Sequence, residues 1–88
     1  MIFIVQGRWK KKPTKELLNE TSRLFEQMAK EGTKFLAQYW TLGKYDIISV
    51  VEGKDEKTIM KTLIRFGDML STQTLIAVPR EEAIKLVE

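Results

Sequence analysis

The chain has 88 residues, a formal net charge of +3, 43% hydrophobic residues, and neither Cys nor His. That length is enough for one core, hence one domain over residues 1–88, and the missing side chains remove disulfides, thiolate sites and the commonest metal ligand, so no metal or other cofactor is expected. The apolar start Met1–Val5 is interrupted by Gln6, Gly7 and Arg8, too soon for a signal-peptide core, and no apolar run approaches the roughly 20 residues of a membrane span; the expected location is cytoplasmic, with no membrane partner.

Residues 1–9 read as an interior strand, because Ile2, Phe3, Ile4 and Val5 are apolar on both faces. Lys10-Lys11-Lys12 is the only basic run and precedes Pro13. It reads as a solvated loop, since a nucleic-acid surface needs more converging cations or aromatics set for stacking. Pro13-Thr14 opens a helix in which Leu17, Leu18, Thr21, Leu24, Phe25 and Met28 recur at helical spacing, and Gly32 stops it. Residues 33–42 and 45–52 read as a hairpin around Gly43-Lys44, with a glycine placed for a type II′ turn. Asp55 is positioned to cap a second helix, in which Ile59, Leu63, either Phe66 or Gly67, and Leu70 share one side. Residues 71–78 form a last strand, Pro79 ends it, and 80–87 form a short helix with Ala83, Ile84 and Val87 on its apolar side.

This order predicts an α+β, ferredoxin-like βαββαβ sandwich with a short C-terminal helix: a four-stranded antiparallel sheet carrying both long helices on one face. A tight turn at 43–44 pairs Gln38 with Ser49 and Trp40 with Ile47. One side of the hairpin then carries Leu36, Gln38, Trp40, Leu42, Tyr45, Ile47, Ser49 and Val51. The other carries Phe35, Ala37, Tyr39, Thr41, Asp46, Ile48, Val50 and Glu52. The second set is apolar in its middle and is expected under the helices, leaving the first on the open face. A domain this small is marginal as a monomer. Burying a few hundred Å² of that face would contribute on the order of 10 kcal/mol before association costs. The expectation is a homodimer with two sheets face to face, a dimeric α/β-barrel.

Thr41-Leu42-Gly43-Lys44-Tyr45-Asp46, followed by Ile47-Ile48-Ser49-Val50-Val51-Glu52, resembles the signature of the GYD-domain family. Thr72-Gln73-Thr74-Leu75-Ile76-Ala77 and Arg80-Glu81-Glu82 are similar to that family's closing strand and terminal helix start. Lys44 separates the glycine from the tyrosine, a departure from the literal Gly-Tyr-Asp. The resemblance implies a dimeric α/β-barrel and little about activity. A fainter likeness is to the ligand-binding domain of Lrp/AsnC-type regulators, which share a Gly-x-Tyr-Asp hairpin and bind amino acids where dimers meet. No helix-turn-helix of theirs is matched here.

Asp46 is the most informative polar residue: a carboxylate at a barrel mouth can hold an amine or act as a base, or accept hydrogen bonds from Thr41 or nearby backbone amides. Gln38, Ser49, Trp40, Tyr45 and Arg8 complete the candidate ligand-binding set. Trp40 also reads as an interface anchor, Tyr45 as a shield for the hairpin end, and Gln38 with Ser49 as a mutually satisfied pair. Val5-Gln6-Gly7-Arg8 echoes the phosphate loop of acylphosphatases, but Trp9-Lys10-Lys11-Lys12 breaks it and residues 33–42 contain no Asn. No nucleophile elbow, P-loop or dinucleotide fingerprint occurs. The leading expectation is a non-enzymatic oligomeric domain binding a small polar metabolite between facing sheets; the alternative is a cofactor-independent dimeric-barrel enzyme of oxygenase or isomerase type. The Lys- and Glu-rich surface is of a kind found in thermophiles.

Overall fold

Seven elements follow one another in the computed structural model, which describes residues 1–87. They are β1 (Ile2–Trp9), α1 (Lys15–Lys30), β2 (Lys34–Trp40), β3 (Ile47–Glu52), α2 (Glu56–Arg65), β4 (Leu70–Ala77) and α3 (Arg80–Ala83), the last continued by a 3-10 turn at Ile84–Leu86. The strands form one antiparallel sheet in the order β2-β3-β1-β4, which is the ferredoxin-like arrangement. Among the described residues no helix is long and apolar enough to cross a membrane.

Local chemistry sets the helix boundaries. Thr14 and Asp55 hold extended backbone, and their side chains accept the Leu17 and Thr58 amides; each satisfies a first-turn donor that has no partner inside its helix. Gly32, at φ 95°, takes the left-handed conformation that ends α1, and the Thr33 amide turns back to the Met28 carbonyl at 2.9 Å. The other left-handed glycine is Gly43, at φ 111°. The connection it serves is wider than a two-residue turn. β2 ends at Trp40, Thr41 donates to the Asp46 carbonyl at 2.8 Å, and β3 starts at Ile47.

The core lies between the sheet and the two long helices. Phe3, Val5 and Val51 pack with Ile59 of α2, joined by Phe35 and Leu63. A second group joins Met28 of α1 to Phe66 and Met69, with Phe25 and Phe35 against it. Phe35 belongs to both, and the Phe25 ring stands 4.5 Å from that of Phe35 and 5.5 Å from that of Phe66. Where α1 ends, Arg65 binds Glu31 through both terminal guanidinium nitrogens, Nη2 to Oε1 at 2.7 Å, tying the last residue of α2 to the cap of α1. This pair holds Glu31 below the usual carboxylate range and raises Arg65.

The sheet settles the question of faces against expectation. Register in the middle of the hairpin is as the sequence predicts, with Trp40 opposite Ile47 and Gln38 opposite Ser49. The sides are inverted. Ile47, Ser49 and Val51 are buried, pair with Gly7, Val5 and Phe3, and face α1 and α2. Ala37, Tyr39, Ile48 and Val50 face away. A β-bulge between Phe35 and Ala37 shifts the pairing by one residue, so that Phe35 stands opposite Val51 and joins the helix-covered side. Leu36 remains exposed. The physical reason is that β1 is apolar on both sides and exerts no preference, while the polar pair Gln38–Ser49 is tolerated beneath helices because it is internally bonded. Of the apolar side expected on the C-terminal helix, Ile84 and Val87 are exposed and Ala83 is half-buried.

Candidate functional site

Two regions bear on function: a cavity beneath the helices and the uncovered face of the sheet. The cavity, about 60 Å³, is walled mainly by apolar side chains, among them Val5, Phe25, Phe35, Ile47, Leu63 and Phe66. Its polar contributors are Thr21, Gln38, Ser49, Thr62 and Thr72. Trp9 and Trp40 also line it and meet edge to face, with ring centroids 5.7 Å apart. Trp40 is 59% exposed, so it belongs to the mouth of the cavity rather than its floor. Among the described residues no ionisable side chain lines it.

Within the cavity wall, Gln38 Nε2 donates to Ser49 Oγ at 3.0 Å. Thr21 and Thr62 spend their hydroxyl protons on the Leu18 and Thr58 carbonyls at 2.7 and 3.0 Å, as threonines in helices commonly do. Gln38, Ser49 and Thr72 are the sheet side chains that bring amide or hydroxyl groups to the wall, and Gln38 and Ser49 are bonded to each other.

The opposite face carries a different set. Strand alternation puts Ile4, Ile48, Val50 and Leu75 there, with Val50 and Leu75 flanking Ile4 in the ladder and Ile48 opposite Gln6. Among the described residues no helix packs over them: Ile4, Ile48 and Val50 are half-buried and Leu75 is exposed. Arg8 and Tyr45 lie at one end: Tyr45 donates its hydroxyl to Gln73 Oε1 at 2.5 Å, and the Arg8 guanidinium and Lys44 ammonium sit 5.8 and 5.7 Å from the Tyr45 ring centroid. Arg8 Nε also donates to the Lys44 carbonyl at 2.6 Å, which fixes the loop against β1.

The sequence-predicted residues thus divide. Gln38, Trp40 and Ser49 come together under the helices, not between facing sheets; Arg8 and Tyr45 come together on the open face. Asp46 joins neither group. Its Oδ2 accepts the Trp9 amide at 2.9 Å, while its own amide donates to the Gly7 carbonyl at 2.8 Å, so it clasps the end of β1 to the start of β3. Of the partners expected for that carboxylate, a backbone amide serves, while the Thr41 hydroxyl donates to the Tyr45 carbonyl at 2.6 Å. Sequence reasoning missed Trp9 and Gln73. The signal for Trp9 was present, since it shares strand parity with Phe3, Val5 and Gly7; Gln73 needed the β1–β4 register. Among the described residues no group of three or more acidic side chains is placed to hold a metal ion.

The sequence profile of the family described as "GYD domain" matches residues 3–87. A "Glutamine synthetase and cystathionine beta-lyase binding protein" of Thermus thermophilus is 33% identical over 72 residues, which cover 80% of this chain and 70% of that protein.

Proposed function

The chain belongs to the GYD-domain family, and from that premise we propose that it is a non-catalytic binding domain that pairs with a second copy through its open sheet face and docks other proteins as a dimer. The observation that carries pairing is the uncovered run Ile4, Ile48, Val50 and Leu75 at the centre of a sheet whose other face is already roofed. An apolar surface of this kind, rimmed by Arg8, Tyr45, Gln73 and Tyr39, fits a self-complementary two-fold interface with an apolar middle and a polar border. Docking of a protein partner is suggested by the Thermus relative, whose printed name gives it two enzymes as partners. Enzymes of those two kinds are the first partners to try.

A cavity without any carboxylate, Lys or Arg in its wall favours binding over proton-transfer chemistry. A small polar metabolite held between two facing sheets is a second reading, favoured by the Arg8–Tyr45–Gln73 cluster on the open face. It would engage those residues in place of Gln38, Trp40 and Ser49.

Sedimentation equilibrium at micromolar concentration tests the pairing. The native chain should run as a dimer, and Ile48→Lys, which sets a charge in the middle of the apolar face, should run as a folded monomer. A native chain that sediments as a monomer sinks the proposal. Co-sedimentation with purified glutamine synthetase and cystathionine beta-lyase tests docking separately, with retention by neither counting against it.

A further inference from the structure

We propose that the cavity between sheet and helices binds a neutral aromatic carboxamide, its amide head held by Gln38 and Ser49 and its ring set against Trp9 and Trp40. The hydrogen-bonding inventory gives the head. Gln38 Nε2 donates to Ser49 Oγ, which leaves the Ser49 hydroxyl proton and Gln38 Oε1 without a partner among the described residues. Turning the amide over exchanges the roles but again leaves one donor and one acceptor side by side. A carboxamide presents the complementary acceptor and donor on one carbon.

Charge and size narrow the choice further. No ionisable residue lines the cavity, so a carboxylate or ammonium would be stripped of water with nothing to replace it. The volume, about 60 Å³, is well below the roughly 150 Å³ of an apolar cavity that accommodates benzene. A head group of a few atoms fits inside, and a ring attached to it stays at the mouth. That is where the two indoles stand, meeting edge to face at 5.7 Å with Trp40 59% exposed. An exposed tryptophan beside a second one offers a flat apolar surface for a planar ring, with the offset or edge-on geometry that aromatic pairs prefer.

Benzamide is the probe. The chain has two tryptophans, both at the mouth, so their fluorescence reports occupancy without a label. Titration should give a saturable change, with benzamide bound about tenfold more tightly than benzoate, which has the same shape and a charge, and than toluene, which lacks the head; one satisfied hydrogen bond is worth about that factor. Ser49→Ala should weaken benzamide about tenfold and leave toluene unchanged. Gln38→Leu should do the same, with its fold checked by circular dichroism because the buried Ser49 hydroxyl loses its 3.0 Å partner. The affinity should not vary with protein concentration across the monomer–dimer range, which separates this proposal from the pairing of sheets. Absence of saturation with benzamide overturns it, as does benzoate binding equally well, or benzamide affinity unchanged in both variants.

Discussion

The two faces of one sheet make the sharpest contrast in this molecule. The covered face holds Phe3, Val5, Ile47 and Val51, all buried, yet includes a hydrogen-bonded Gln38–Ser49 pair and a cavity. The uncovered face holds Ile4, Ile48 and Val50, half-buried by their strand neighbours alone, and Leu75, which is 43% exposed. The bare face is thus apolar too at Ile4, Ile48, Val50 and Leu75, with Gln6 and Gln73 beside them. Apolarity alone does not tell which side of a sheet a chain's own helices will cover.

Truncation should separate the faces most clearly. Phe66, 4% exposed and packed on Phe25, should cost about 3–5 kcal/mol when replaced by Ala, because a large cavity opens in the shared core. Ile48→Ala, measured by urea unfolding at concentrations where the chain is monomeric, should cost less than about 1 kcal/mol, since in the monomer that side chain gains little shelter. Similar losses at the two positions would erase the distinction between the faces.

The next effect concerns the residue that belongs to neither face. Asp46→Ala leaves the Trp9 amide without its 2.9 Å acceptor and should lower stability by about 1–3 kcal/mol. Because the clasp joins β1 to β3 and touches neither surface, the sedimentation behaviour of the folded protein should be retained. Loss of pairing with full thermal stability would instead give Asp46 a place in the interface.

The smallest effect is that of pH, and it lies outside the sheet altogether. The Thr58 backbone amide, accepted at 2.9 Å, holds Asp55 below the ordinary aspartate value, and Arg65 does the same for Glu31. A carboxyl whose folded pKa is lowered contributes stability above its unfolded pKa and loses it as pH falls through the folded value. Urea midpoints should therefore decline below about pH 4, the region of the unfolded carboxyl values. The Glu31→Gln, Asp55→Asn double variant should flatten that decline slightly, and added salt should act in the same direction on the Glu31 contribution. An unchanged acid limb would mean that neither group is linked to folding.

The element order, the caps at Thr14 and Asp55, the left-handed Gly32 and Gly43 and the mid-hairpin register were all determined by the sequence, because each depends on residues adjacent in the chain or directly paired. Local sterics and the first-turn hydrogen bonds suffice to specify them. Which face of the sheet the helices would cover was not written locally. It hung on the bulge at Leu36, which moves Phe35 to the side of Val51, and on the Gln38–Ser49 bond, which lets polar groups lie beneath the helices. The candidate site followed the face, so Gln38, Trp40 and Ser49 parted from Arg8 and Tyr45, and Trp9 joined them only through the packing of β1 against the helices. A strand's two sides are distinguished by what packs across them, and that energy exists only once elements distant in sequence have met.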